Sequence, residues 1–125
     1  MIDEMIAKAR IAQAEYATFS QEQVDAIVRA IGKVIYDNAE ELARNAVAET
    51  RMGNVEDKLV KKLGKSRAIW NSLKGKRSIG VIEERDEDGL VKIAKPVGVV
   101  GAVTPTTNPV VTPMCNAMFA LKGGN

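Results

Sequence analysis

Residues 95–109 have the sequence Lys-Pro-Val-Gly-Val-Val-Gly-Ala-Val-Thr-Pro-Thr-Thr-Asn-Pro, which is the most informative stretch of the chain. The β-branched and small residues at 97–103 predict a strand that is apolar on both faces and therefore buried. A polar loop follows at 104–108, and prolines restrict its backbone. Because α/β proteins bind ligands at the carboxyl ends of such strands, we predict a ligand-facing loop.

The residues on either side of this stretch extend the α/β pattern. A helix is predicted to open at 108–109 or 112–113 and to continue to Leu121, where two glycines stop it. Residues 78–84 and 90–94 are short β-prone runs on either side of an Asp-Gly turn signal. Such a pattern predicts a β-hairpin.

The first three-fifths of the chain is predicted to form helices separated by capping residues. Residues 2–17 carry apolar side chains at nearly helical spacing. Ser20 begins a capping-box pattern, and Asn38 and Asn54 are the predicted caps of the next two helices. Gly32 interrupts the second apolar stripe, and we expect close packing of another helix there.

Composition limits the classes of function. The chain has 125 residues and a formal net charge of +2, so neither nucleic acid nor an anionic membrane is an expected partner. Histidine is absent, which removes the commonest general base and metal ligand, and we predict no metal site. One cysteine, no secretory signal and no membrane-length apolar run together predict a cytoplasmic protein.

The loop at 104–108 carries the candidate catalytic group. Its three threonines and Asn108 supply short hydrogen-bonding side chains. An asparagine amide is a suitable donor to a developing alkoxide, which makes Asn108 a candidate oxyanion donor. The same residue is equally suited to cap the following helix. The residue pattern favours these two hypotheses equally.

Two other features have structural interpretations. Cys115 lies in an apolar helix with no histidine to deprotonate it, which predicts a buried, inert thiol. The fourth helix carries an apolar face made of Leu59, Leu63, Trp70 and Leu73. Its outer face carries the basic residues Lys58, Lys61, Lys62, Lys65 and Arg67. A solvated face is the favoured interpretation of these charges, and contact with an anion is the alternative.

The stretch at 95–109 resembles the coenzyme A-acylating aldehyde dehydrogenases, a branch that includes acetaldehyde and succinate-semialdehyde dehydrogenases. Pro-Thr-Thr-Asn-Pro at 105–109 is typical of this branch, whereas hydrolytic aldehyde dehydrogenases usually have Pro-Trp-Asn-Phe-Pro. The similarity extends over nearly the whole chain, with further matching segments at 33–40, 68–71, 114–118 and 121–125.

This resemblance implies an α/β fold in three parts. Residues 1–77 would form an N-terminal helical layer, and residues 78–94 would form a β-hairpin of the oligomerisation region. Residues 95–125 would form the first strand and helix of an aldehyde-dehydrogenase-type NAD(P)-binding domain. That domain would be incomplete within this chain.

The resemblance also implies a chemistry. These enzymes oxidise an aldehyde through a cysteine thiohemiacetal, pass hydride to NAD or NADP, and release the acyl group to coenzyme A. By position, four residues would line the nicotinamide side of the cofactor: Val103, Thr104, Pro105 and Thr106. Asn108 is the favoured oxyanion donor, because an amide N–H is a fixed donor. Thr107 is the alternative, because it aligns with the asparagine of the hydrolytic pattern.

The family's nucleophilic cysteine belongs to a later segment, and Cys115 does not match it. We therefore expect this chain to be the N-terminal part of such an enzyme and to be inactive alone. The full-length enzyme is expected to be a homo-oligomer that acts on a small aldehyde or semialdehyde with coenzyme A. The alternatives are a non-acylating semialdehyde dehydrogenase of the same superfamily and a standalone helical interaction module.

Overall fold

The computed structural model describes residues 1–125 as five α-helices and one β-hairpin. In chain order the elements are α1 (Ile2–Tyr16), α2 (Gln21–Asp37), α3 (Ala39–Thr50), α4 (Val55–Leu73), β1 (Gly80–Arg85), β2 (Leu90–Ala94) and α5 (Val111–Lys122). The four N-terminal helices, the hairpin and the last helix confirm the mixed helix and strand architecture predicted from the sequence.

Side-chain caps set the starts of α2 and α4, as predicted. The N–H of Gln23 donates to Ser20 Oγ at 3.2 Å, and the N–H of Ser20 donates to Gln23 Oε1 at 2.9 Å, which completes a capping box. At α4 the N–H of Asp57 donates to Asn54 Oδ1 at 2.8 Å. Both helices therefore begin where a local polar side chain replaces the missing backbone acceptor.

The predicted side-chain cap at Asn38 is wrong. Asn38 lies between α2 and α3 and is the flanking residue of both helices. Its backbone angles, φ −106° and ψ 19°, differ from the extended conformation of a capping residue. Its amide instead donates to the carbonyl of Val34 at 2.8 Å.

We expect Ser20→Ala to lower the free energy of unfolding by about 1 kcal/mol, because the N–H of Gln23 loses its acceptor. Ser20 is exposed, so lost packing contributes little. Asn38→Ala is the matched control and should cost less, since that side chain makes no cap. Chemical denaturation of both variants measures the difference, and equal losses would contradict the capping role.

The hydrophobic core lies between α2 and α5. Val24 and Val28 of α2 pack with Val111, Met114 and Met118 of α5, and each has an exposed fraction of 4% or less. Residues four apart on α2, and three and seven apart on α5, share one face of their helix. These two faces therefore form the centre of the molecule.

Gly32 allows α2 to approach its neighbours closely. A Cβ atom at this position would lie 3.2 Å from Met118 Cε and 3.6 Å from the carbonyl oxygen of Ser66. The first contact belongs to α5 and the second to α4, so three helices meet at Gly32. The predicted close packing at this glycine is confirmed.

β1 and β2 form the predicted antiparallel hairpin. The register pairs Gly80 with Ala94 at the open end and Arg85 with Leu90 beside the turn. Gly89 ends the turn with φ +61°, a conformation that favours glycine. The Asp-Gly signal in the sequence therefore marked the turn correctly.

Residues 97–103 do not form a strand, so the predicted buried strand is wrong for this chain. Val97 and Val103 have exposed fractions of 87% and 98%. A strand requires a hydrogen-bonded neighbour, and the only sheet consists of β1 and β2. The apolar pattern indicates a segment suited to burial between two layers, yet no element of residues 1–125 pairs with it or covers it.

The chain exposes more surface than its mass predicts. Its accessible area is 8559 Å², whereas a folded monomer of this mass exposes about 6,500 Å². α1 contains no buried residue, and large apolar side chains are exposed on α1 and at 97–103. Apolar surfaces of this extent are suited to packing against further polypeptide.

Candidate functional site

The loop at 104–108 ends in a tight turn. The N–H of Asn108 donates to the carbonyl of Pro105 at 3.2 Å, which closes the turn. Pro105 and Pro109 restrict the backbone at both ends. α5 begins only at Val111, so the turn holds Asn108 between an irregular segment and a helix.

Asn108 does not cap α5, so the capping hypothesis is wrong. Val110 occupies the capping position, and no side chain makes a cap there. Pro113 lies in the first turn of α5, where its missing N–H has no cost. The half-buried Asn108 amide makes no hydrogen bond within the chain. The amide is therefore available to a ligand.

Thr107 lies beside Asn108 and has a different environment. It is exposed, and its main-chain carbonyl accepts a hydrogen bond from Lys58 Nζ at 3.2 Å. This bond connects the loop to the first turn of α4. The structure therefore places both candidate oxyanion donors in one turn. The lysine that contacts this turn, Lys58, was predicted to lie on a solvated face.

Two of the four residues predicted to line the nicotinamide precede the turn, and the other two begin it. They are all exposed, and they are Val103, Thr104, Pro105 and Thr106. The hydroxyls of the two threonines make no hydrogen bond within the chain. The role of the four residues in holding the nicotinamide stays a prediction.

Asn125 holds the start of this segment, and the sequence analysis missed its role. Its Oδ1 accepts hydrogen bonds from the N–H of Val97 at 2.7 Å and of Gly98 at 3.2 Å. Its amide donates to the carbonyl of Ala120 at 3.0 Å. The Gly-Gly-Asn pattern indicates a turn after α5, but a contact across 28 residues has no local signal in the sequence.

A mostly buried ion pair joins α5 to α2. Lys122 Nζ donates to Asp25 Oδ1, and the two side chains are 5% and 25% exposed. Gln21 Nε2 donates to the same oxygen at 3.0 Å, and Gln21 Oε1 accepts from the N–H of Ser78 at 2.8 Å. Burial, and next the charge of Asp25, raise the pKa of Tyr16. This network holds the end of α5 against α2 and the approach to β1.

Cys115 has the properties of a structural thiol. It is half-buried and packs against the core. Burial raises the pKa of its thiol, while the charge of Lys65 and a backbone hydrogen bond act in the opposite direction. A protonated thiol is a poor nucleophile. The predicted burial is therefore only partial, and the inertness of the thiol stays a prediction.

The predicted solvated face of α4 is wrong at Lys62, whose exposed fraction is 3%. Ser66, one turn further along the helix, is 2% exposed, while Leu59 and Leu63 are only half-buried. The reason is that α4 packs against α2, α3 and α5, and Lys62 and Ser66 are its two buried residues. An apolar stripe locates one buried face and cannot indicate the others.

A polar groove of about 340 Å³ lies between α2 and α4. Arg67 Nη2 donates to the hydroxyl of Tyr36 at 2.6 Å, and its guanidinium lies 5.2 Å from the centre of that ring. No residue of the loop or of α5 lines the groove, so it is separate from the candidate catalytic groups. Trp70 lines it and also packs against the core, which agrees with the predicted packing role.

Two kinds of feature are absent from the chain. No group of three or more cysteine, aspartate or glutamate side chains is arranged to hold a metal ion. No helix combines the length and the apolar character that a membrane crossing requires.

The chain matches the aldehyde dehydrogenase family profile over residues 1–125. It is 59% identical over 124 residues to the succinate-semialdehyde dehydrogenase (acetylating) of Clostridium kluyveri, and the match covers 99% of this chain and 27% of that protein. It is 44% identical over 126 residues to the sulfoacetaldehyde dehydrogenase (acylating) of Bilophila wadsworthia, with 99% and 27% covered.

The structural comparison agrees with the sequence comparison. An acetylating aldehyde dehydrogenase from Geobacillus thermoglucosidasius superposes with a TM-score of 0.95 at 35% identity, over 99% of this chain and 27% of that one. The chain thus spans about a quarter of the length of these relatives. The family profile, the relatives and the shared fold all support one assignment, in accord with the Pro-Thr-Thr-Asn-Pro motif: the chain belongs to the aldehyde dehydrogenase family.

Proposed function

We propose that this chain forms the N-terminal part of a coenzyme A-acylating aldehyde dehydrogenase, which converts an aldehyde, coenzyme A and NAD(P)⁺ to acyl-CoA and NAD(P)H. The loop at 104–108 carries the proposal, because its acylating-type sequence ends in a turn that leaves the Asn108 amide unbonded. Relatives named as acylating or acetylating enzymes support the reaction class.

Each part of the loop has a proposed role. The Asn108 amide donates a hydrogen bond to the oxyanion that forms when a thiolate attacks the aldehyde carbonyl, and Thr107 is the alternative donor. Val103 and residues 104–106 hold the nicotinamide, which accepts hydride when NAD or NADP is bound. No residue of this chain is assigned as the nucleophile, since Cys115 is half-buried and its pKa is raised.

The remaining components follow from the same assignment. Coenzyme A is the acyl acceptor, and the substrate is a small aldehyde or semialdehyde. Two relatives are named for succinate semialdehyde and sulfoacetaldehyde, which supports a short aldehyde that carries a second functional group. The exposed apolar side chains of α1, which has no buried residue, support assembly into a homo-oligomer. The single free cysteine fits a cytoplasmic location.

The test uses the protein encoded by the complete reading frame that contains this chain. It is incubated with a short aldehyde, coenzyme A and either NAD or NADP. We expect NAD(P)H formation that depends on coenzyme A, with an acyl-CoA product detected by mass spectrometry. Residues 1–125 alone should give no turnover, because none of these residues is proposed to be the nucleophile.

Other outcomes would support the alternatives. NAD(P)H formation that is independent of coenzyme A and yields a free acid would favour the non-acylating semialdehyde dehydrogenase. Turnover by residues 1–125 alone would contradict the placement of the nucleophile outside them. A complete protein without dehydrogenase activity, together with a monodisperse and cooperatively melting 1–125 chain, would favour the helical interaction module.

A further inference from the structure

Residues 58–65 of α4 contain four lysines and no acidic residue. Like charges three or four positions apart destabilise a helix. None of the ion pairs in the chain includes any of these lysines. The run is therefore a concentration of positive charge that helix stability does not explain.

Lys62 is the buried member of this run. Its exposed fraction is 3%, and its ammonium makes no hydrogen bond or ion pair within the chain, although its main-chain carbonyl accepts a hydrogen bond from Ser66 Oγ at 2.7 Å. No fully buried side-chain nitrogen or oxygen lacks a partner, so the Lys62 ammonium retains contact with solvent at its tip. Burial lowers the pKa of Lys62, and the charges of Lys58 and Lys61 lower it further. An anion at the tip would satisfy its donors and offset the repulsion.

The lysine run begins beside the candidate catalytic loop. Lys58 Nζ donates to the carbonyl of Thr107 at 3.2 Å, and Lys62 lies one turn further along the same helix face. Lys65, at the other end of the run, is close enough to Cys115 of α5 to lower the pKa of its thiol. This face of α4 therefore borders both the oxyanion turn and the start of α5.

We propose that Lys62, supported by Lys58, binds an anionic group of the aldehyde whose carbonyl oxygen is held at Asn108. The inference rests on the proposed function and names its substrate class, which is a short aldehyde with a carboxylate or sulfonate at its far end. The phosphates of coenzyme A and NAD(P) are separated from their reacting atoms by many bonds. An ammonium on the face that contacts the oxyanion turn is therefore better placed for the anion of the substrate itself.

The test compares 4-oxobutanoate with butanal, in which a methyl group replaces the carboxylate. In the complete protein, Lys62→Met should lower kcat/KM for 4-oxobutanoate about 10- to 100-fold, mainly through KM, and should leave butanal oxidation unchanged. Lys62→Arg should retain most of the discrimination, since it keeps the charge. The melting temperature of ligand-free Lys62→Met should rise, because a buried and unpaired charge is removed.

Lys61→Met is the matched control, since Lys61 is an exposed member of the same run. An equal effect of the two substitutions would overturn the proposal, because the general positive charge of the run would then explain the result. Equal losses for both aldehydes, or a lower melting temperature for Lys62→Met, would also overturn it and assign Lys62 a structural role.

A second arm does not depend on turnover. Succinate binding to the complete protein, measured by calorimetry, should weaken about 10- to 100-fold in Lys62→Met and remain unchanged in Lys61→Met. If the complete protein binds succinate through Lys62 but oxidises neither aldehyde, the proposed reaction is wrong and the anion site stands. If succinate does not bind the unaltered protein, or binds Lys62→Met equally well, the anion site is wrong whatever the activity.

Discussion

Asn108→Ala in the complete protein should lower kcat for coenzyme A-dependent aldehyde oxidation about 100- to 1,000-fold. The Asn108 amide has no partner within the chain, and its main chain is fixed by the bond to the Pro105 carbonyl. Its hydrogen bond to the substrate oxygen strengthens as negative charge develops, so the loss falls on kcat and leaves KM for the aldehyde largely unchanged. Steady-state kinetics with saturating coenzyme A and NAD(P) measure both constants.

Thr107→Val is the control, because it removes only a hydroxyl and keeps the main-chain carbonyl that Lys58 contacts. We expect it to have little effect on kcat. A large loss in Thr107→Val with little loss in Asn108→Ala would move the oxyanion donor to Thr107. Full activity in both variants would remove the loop from the catalytic machinery altogether.

Asp25→Ala should destabilise the protein by about 3–5 kcal/mol, because it leaves the ammonium of Lys122 buried without a counter-charge. The Lys122 side chain is only 5% exposed, so solvent cannot replace the lost partner. Gln21 Nε2 loses the same acceptor and with it part of the connection between α2 and Ser78. Chemical denaturation of the complete protein measures the loss.

Asp37→Ala supplies the comparison, since Asp37 forms an exposed ion pair with Lys33 whose side chains are 48% and 64% exposed. An exposed pair contributes about 0–1 kcal/mol. The double variant Asp25→Ala/Lys122→Met should recover most of the stability, because it removes the orphaned charge. Equal effects of Asp25→Ala and Asp37→Ala would show that the buried pair is not a stabilising contact.

Features with a local cause could be predicted from the sequence. The Ser20 capping box, the Asn54 cap and the hairpin turn at Gly89 each depend on residues within a few positions of one another. Gly32 was also interpreted correctly, because a glycine inside an apolar stripe has few explanations other than close approach. For such features the covalent neighbours contain most of the relevant interactions.

Features that depend on distant parts of the chain could not be predicted in the same way. The β-branched run at 97–103 correctly indicates a segment suited to burial, but a strand also requires a neighbour, and this chain contains none for it. Lys62 is buried because α4 packs against three other helices. A helical periodicity records the residue types on each face and not the number of elements around the helix.

In the candidate site, too, local features could be predicted and contacts between distant residues could not. The loop at 104–108 was identified from its own residues, and its turn excludes the helix cap that the pattern left open for Asn108. The supporting contacts of Asp25 and Asn125 were missed, since they join residues 97 and 28 positions apart. Carboxylates and amides at such positions are indistinguishable in sequence from ordinary surface residues.

The exposed segment at 97–103 has a consequence for how the protein is made in the cell. Under the proposed function, the polypeptide that covers this segment leaves the ribosome later, and synthesis proceeds at about 5–20 residues per second. Val97, Val99, Val100 and Val103 then face solvent for the whole interval on the nascent chain. Transiently exposed apolar surface promotes aggregation, so a greater supply of chaperones should raise the yield of folded enzyme.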